Sequence, residues 1–417
     1  MITYSPRVRV TLRRAANAFK PEDISSDVVE VETHKAYGQP TGSFSLVTTF
    51  AQRTNGLRYD QIVKPNDILL IEMDAGDGNG PIPVMLGLAS EIDRMRTTDN
   101  EGRPVRNVQI AGEDFGKLLV KHHCMWPMAI RPNNIGSQVE LTYGITLEKG
   151  GTPAQMAKII VEKELFLQMP WTKQFVLLDR LSDIDDWWLG NITFSTQDTV
   201  WAVLEHVSDA PFNMLSADTG SDGLFHIILE VCPFSVTDGK LQIPLNRMHT
   251  VAINDVIMEK LGVNDHDRVN YVFNKVQCGI QGESGGNELL FIRGDAVQYD
   301  ETLQSLQANG FLPWFPQSNF VPFATKVAPQ ISNTGALAAA PVKERTLALW
   351  NWHKDNATLE SGLISLHISP TVRAGDGIIY EDNNYEYFVE QVGHKFDIAN
   401  HSFQTSLHLT RGQKHVA

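Results

Sequence analysis

The sequence predicts a mainly β protein with α+β insertions, and three patterns carry that expectation. Stretches near both ends alternate apolar and polar residues with a period of two, as half-buried strands do. The middle third carries helix-start signals followed by apolar residues at helical spacing. One strand–turn–strand pattern occurs twice, once towards each end.

In the first part, residues 7–12 (RVRVTL), 28–32 (VVEVE) and 42–50 (GSFSLVTTF) read as strands. Residues 68–73 (ILLIEM) and 84–92 (VMLGLASEI) flank the Gly/Asp/Asn-rich segment 74–80, so they read as a hairpin. A further strand follows at 105–111 (VRNVQIA). Downstream, Thr152 as cap, Pro153 and Gln155 predict a helix to about Gln168. Ser195 and Asp198 form a second capping signature, opening a helix through Val200, Val203, Leu204 and Val207. Residues 224–231 (LFHIILEV) read as a buried strand. After 246, residues 255–261 (DVIMEKL) predict a short helix and 268–277 (RVNYVFNKVQ) a strand. The GESGGN segment reads as a loop, 311–323 as extended, 326–340 as a linker and 341–353 as a helix opening at Pro341.

Bulk composition narrows the function. The chain has 417 residues and a mass of 46.5 kDa, more than one typical core. No apolar run approaches the ~18 residues that would span a bilayer, and the alternating N-terminus reads as a strand rather than a secretory leader. A cytosolic site of synthesis is expected. Three scattered cysteines, Cys124, Cys232 and Cys278, lack zinc-ligand spacing and read as reduced, buried thiols. A net charge of −14 argues against a surface that grips nucleic acid.

The repeat lays residues 64–72 (KPNDILLIE) on 373–381 (RAGDGIIYE): a basic residue, a turn, an Asp and an apolar strand ending in Glu. The next strand, 84–94, matches 387–396, and Val108–Gly112 is laid on His408–Gly412. One such meander cannot bury both its faces, so each copy needs more strands. Residues 5–50 are expected to supply them for the first copy, and 268–280 with 361–369 for the second.

With these pieces in view, the chain resembles baseplate hub proteins of contractile-tailed phages, and more distantly the hub portion of type VI secretion spike proteins. The matching residues are Asp23-Ile24-Ser25, Gly42–Leu46, the PNDILLIE step, Gly87, and Gly112-Glu113-Asp114. At the other end they are Arg373–Asp376, Phe388–Phe396 and Phe403–Gly412. The resemblance implies two similar small β-barrel tube domains per chain and a peripheral α+β domain. On that division the first tube domain is 1–120, the peripheral domain 121–245 and the second tube domain 246–417. An inserted loop and helical segment fall at about 282–360. It further implies a homotrimer presenting six similar positions around a channel, joining tail tube to central spike and letting DNA pass unbound. Expected partners are therefore the chain itself, a tube or tube-initiator protein, the spike and other baseplate proteins. The place is the virion tail, assembled in the host cytoplasm, and no cofactor, metal or catalytic residue is implied.

Local clusters offer other chemistries. Residues 74–80 (DAGDGNG) look like a calcium loop, but the twelfth position is Met85 where Glu is needed, so a hairpin turn is favoured. His122-His123-Cys124 has metal-ligand residue types without a second pair at ligand spacing. Asp183, Asp185 and Asp186 beside Trp187-Trp188 could be paired carboxylates of a cell-wall hydrolase, but a capped turn with core tryptophans is favoured. A third reading is a β-rich carbohydrate-binding module using Trp187, Trp188 and Trp314. The aromatic, Pro-rich segment 311–316 fits either an exposed docking segment or a core plug.

Overall fold

The computed structural model describes residues 5–52, 56–98, 102–124, 153–179, 187–189, 198–208, 210–264, 268–281, 289–299, 312–314, 317–318, 320–322, 334–398 and 400–415. Its backbone is dominated by one thirteen-stranded sheet that runs through both ends of the chain.

The first unit comprises β1 (Arg7–Arg13), β2 (Pro21–Asp23), β3 (Val28–Ala36), β4 (Ser43–Thr49), β5 (Ile68–Asp74), β6 (Ile82–Thr98) and β7 (Pro104–Asp114). β5 and β6 form the expected hairpin, β7 returns along β6, β4 joins β7 and β3 joins β4, all antiparallel. The near-continuous apolar runs of β5 and β6 follow from burial on two faces. Leu69, Ile71, Met73, Val84 and Ala89 face a core shared with Val10, Leu12, Leu46 and Ile110. Ile68, Leu86 and Leu88 point the other way, into a helical layer.

That layer holds the helices Gly116–Lys121, Pro153–Ile160 and Val200–Val207, with a π-helical turn Val161–Phe166 extending the second. Beside them lie β8 (Val176–Asp179), β9 (Trp187–Leu189), β10 (Asn213–Thr219) and β11 (Phe225–Val231). β10, β11 and β8 form a three-stranded sheet in that order. The third helix is capped by Thr199, whose Oγ1 accepts from the Ala202 amide at 3.2 Å. Ser195, the expected cap, lies outside the described residues.

The second unit opens with β12 (Met248–Val251) and β13 (Val256–Val263). A separate set follows: β14 (Tyr271–Gln281), β15 (Leu289–Tyr299), β16 (Pro313–Trp314), β17 (Gln317–Ser318), β18 (Phe320–Pro322) and the helix Thr334–His353. The unit then closes with β19 (Glu360–His367), β20 (Gly377–Tyr380), β21 (Tyr385–Asp397) and β22 (Ser402–Lys414). Its core gathers Ile364, Ile378, Tyr387, Val389, Leu407 and Leu409.

Three expectations are corrected here. Residues 255–261 are not a helix: all but the first form β13, because seven backbone pairings with β19 outweigh the helix propensity of Met, Glu, Lys and Leu. Strand 268–277 exists as β14 but pairs with β15, β16 and β17, so β13 supplies the second unit in its stead. The expected linker 326–340 is helical from Thr334, and Pro341 lies inside that helix. The GESGGN loop lies outside the described residues, apart from its first flank.

Candidate functional site: two equivalent units and their junction

The two units share a hydrogen-bond skeleton, residue for residue. At the first turn, Asp67 accepts the Lys64 amide at 2.8 Å, Asn66 donates to the Ala89 carbonyl at 2.8 Å, and Ala89 donates to Asp67 at 2.9 Å. At the second, Asp376 accepts the Arg373 amide at 2.8 Å, Gly375 donates to Val389 at 2.8 Å, and Val389 donates to Asp376 at 2.9 Å. Asn66 and Gly375 both take positive φ, 69° and 93°. The turn explains why Asp recurs: its side chain ties off the amide three residues back while the backbone reverses.

The strands agree as closely. β6 has a register shift against β7 between Ala89 and Glu91, and β21 has one against β22 between Val389 and Gln391. β3 shifts against β4 between Val28 and Glu30, and β13 shifts against β19 between Val256 and Met258. The strands β3 and β13 each follow a single 3₁₀ turn, Ser25–Asp27 and Ile253–Asp255. Bulges re-aim a strand at one position, so their recurrence marks the same construction twice. The pairings also refine the third strand of the repeat. Ala89 faces Gly112 and Val389 faces Leu409, so Gly112 corresponds to Leu409, three residues before Gly412.

The units meet where β3 of the first pairs antiparallel with β21 of the second, from Ala36 opposite Gln391 to Glu30 opposite Asp397. Lys395 bridges to Glu30 at 3.2 Å across this seam. His394, buried there, shares a 3.0 Å hydrogen bond with Thr405 Oγ1. Burial, with Arg373 and His34 nearby, pushes its pKa down to about 3, so the ring is neutral. Lys35 meets Asp114 at 2.6 Å in full burial, and the amides of Gly42 and Gly116 complete that carboxylate's shell. Burial raises the Asp114 pKa against the pull of Lys35.

A second polar knot ties the α+β layer to the seam. Arg247 donates to Glu230 of β11 at 2.9 Å, to Asp376 at 3.0 Å and to the Gly375 carbonyl at 2.6 Å. Tyr37, at the end of β3, donates to Glu230 at 2.9 Å. A cleft of about 450 Å³ opens beside this knot, lined by Arg247, His249, Asp376, Asp179 and His226 among others. Its polar side chains hold one another: His226 pairs with Asp179 and Asp222 at 3.0 and 2.9 Å, and His249 with Asp376 at 3.1 Å. Such a set fixes elements in place.

The residues singled out for other chemistries are dispersed. Asp183, Asp185 and Asp186 lie outside the described residues. Trp187 and Trp188 belong to β9, whose backbone pairs with β18. Trp314 packs edge-on against His353 at 4.4 Å, far along the chain in a separate apolar cluster. The His122-His123-Cys124 segment staples two helices. The His122 carbonyl accepts from Val200, His123 bridges to Thr199, and the Cys124 amide donates to Asp198. Among the described residues no group of His, Cys, Asp and Glu could hold a metal ion. Segment 74–80 is the hairpin turn, with Asp74 and Asp77 each accepting an amide two residues on. Cys124 and Cys232 are both buried, and burial pushes the Cys232 thiol up to about 12. No described helix is long and apolar enough to cross a membrane.

No family model matches the chain, and no curated protein matches it. Solved structures do. The tail protein of Neisseria meningitidis MC58 aligns with a TM-score of 0.54 at 14% identity, over 97% of this chain and 96% of that one. The 43 kDa tail protein of prophage MuSo2 of Shewanella oneidensis aligns with a TM-score of 0.54 at 12% identity, over 98% of each. The Francisella PdpA–VgrG complex gives 0.47 at 9%, covering 60% of that chain. The chain therefore shares the mainly β fold of these two tail proteins over nearly its whole length.

Proposed function

We propose that this chain is a structural subunit of the baseplate hub of a contractile phage tail or related injection machine. Three copies form a ring of six similar β units that joins the tail tube to the central spike. Tube domains at 1–120 and 246–417 carry the ring, and the α+β domain at 121–245 lies outside it. The observation that carries this reading is the duplicated unit, matched turn for turn and bulge for bulge within one continuous sheet. Two equivalent units per chain, times a threefold axis, meet a sixfold tube on one side and a threefold spike on the other. The net charge of −14 suits a channel past which DNA slides without being held. The fold shared with two tail proteins supports the same reading. Partners on this reading are tube, spike and other baseplate proteins, within the virion.

The test is the mass of the purified protein in solution. The expected result is a species about three times the 46.5 kDa chain that withstands dilution. A monomer at every concentration and salt would remove the reading.

A further inference from the structure

Within one chain the junction between units occupies a defined strand edge on each side, and the chain's two outer edges repeat those same edges with no described strand upon them. β21 is covered over its first residues by β20 and, from Gln391 on, by β3. β6 is covered over its first residues by β5, and from Glu91 on no described strand pairs on that side. β3 lies between β4 and β21, whereas its counterpart β13 pairs with β19 and ends the sheet. A long unpaired edge invites another strand, and natural proteins charge, shorten or cover such edges. Here β13 instead exposes Met258 (50%) and Val263 (61%).

We propose that β13 of one copy pairs antiparallel with the outer half of β6, 91–97, of the next copy. The partner is a second copy of this chain, and the register is that of β3 on β21. The equivalence of the two units fixes it. Glu259 takes the place of Val31 and Lys260 that of Glu32, since Glu259 faces Ile364 as Val31 faces Leu46. Ala89 standing for Val389 makes Met95 the counterpart of Lys395 and Arg96 that of Phe396. Lys395 faces Glu32 and Phe396 faces Val31. Lys260 therefore faces the next copy's Met95, Glu259 faces its Arg96, and Val263 faces its Ile92.

The side chains suit these places. Glu259 and Arg96 bring opposite charges face to face. The Lys395–Glu30 ion pair of the internal seam is replaced by Met95 against Met258, each partly exposed in the single chain, 36% and 50%. At the bulge, Val29 accepts from the Ile398 amide at 3.1 Å, and Ile257 stands at the same place on β13. Such a head-to-tail contact closes a ring when its rotation matches the internal one. The pairing follows from the internal seam, and only the number of copies rests on the hub reading.

Disulfide trapping tests it in the full chain. A K260C/M95C variant is expected to form covalent multimers of up to three chains on oxidation, while neither single variant does. A K260C/E91C variant shifts the partner four residues along the same strand face, roughly 13 Å, beyond the reach of a disulfide. Its cross-linked fraction is expected to be about tenfold lower. Cross-linking of the K260C/E91C variant without cross-linking of K260C/M95C would overturn the register. A three-chain particle in which neither double variant cross-links would overturn the edge pairing and leave the hub reading standing. A single-chain mass for wild type and variants alike would overturn both.

Discussion

The two β units carry the same backbone plan under different surroundings, and the difference shows what the plan must keep. Both retain the turn, the aspartate and the bulges, and both bury a long aliphatic residue on the third strand: Ile110 in one, Leu407 in the other. What varies lies at the seams. The aspartate of the first turn is held by backbone donors, whereas Asp376 also receives Arg247 and His249. The buried His394 of the second unit corresponds to Arg94 of the first, which is exposed and paired with Asp60. Backbone geometry is thus what the duplication keeps, and side chains at the seams record which neighbour each unit meets.

The largest effects should come from the shared core. Ile110→Ala and Leu407→Ala each remove a fully buried side chain and should cost about 2–5 kcal/mol, measured by urea unfolding. Near-equal losses support equivalence of the units; a loss confined to one would break it. Next comes the turn aspartate. Asp376→Ala leaves Arg247 half-paired with Glu230 and should cost on the order of 3 kcal/mol. Asp67→Ala removes only a carboxylate that accepts from backbone amides and should cost roughly 1–2 kcal/mol. Equal costs would show that the Arg247 knot adds nothing.

The seam should also be sensitive to pH. With its folded pKa lowered to about 3, His394 takes up a proton less readily than the unfolded chain does, near 6.5. Its contribution is therefore intact above about pH 6.5 and is lost as pH falls from there towards 3. The loss at about pH 4.5 should be on the order of 3 kcal/mol, and His394→Gln should flatten that part of the stability profile. The smallest contrast lies in the turn residues. A Cβ on Gly375 would come 2.5 Å from the Tyr37 ring at a φ of +93°, so Gly375→Ala should cost roughly 1–2 kcal/mol. Asn66→Gly should stay within about 0.5 kcal/mol, since Asn66 is exposed.

Much of this was legible in the sequence where the physics is local. Alternation placed β1, β3, β4 and β7, and the Asp-centred turns exposed the repeat at 64–72 and 373–381. The capping Thr152-Pro153 signature found the helix beginning at Pro153. What failed depended on partners far along the chain. Residues 255–261 read as helical by residue type, although Asp255-Val256-Ile257 repeats Asp27-Val28-Val29 and could have been matched to it. The third strand slipped by three residues because Gly112 and Gly412 look alike, while register is set by pairing across the sheet. The seam was invisible, since β3 and β21 are separated by most of the chain.

The central claim is that one chain supplies two equivalent positions to a closed ring. Electron imaging of the purified particle along its axis tests this most directly. The account predicts a ring of six similar lobes around an open channel, with alternate lobes distinguished by the α+β domain. A ring whose lobe number is not twice its number of chains, or a closed particle without a channel, would contradict it.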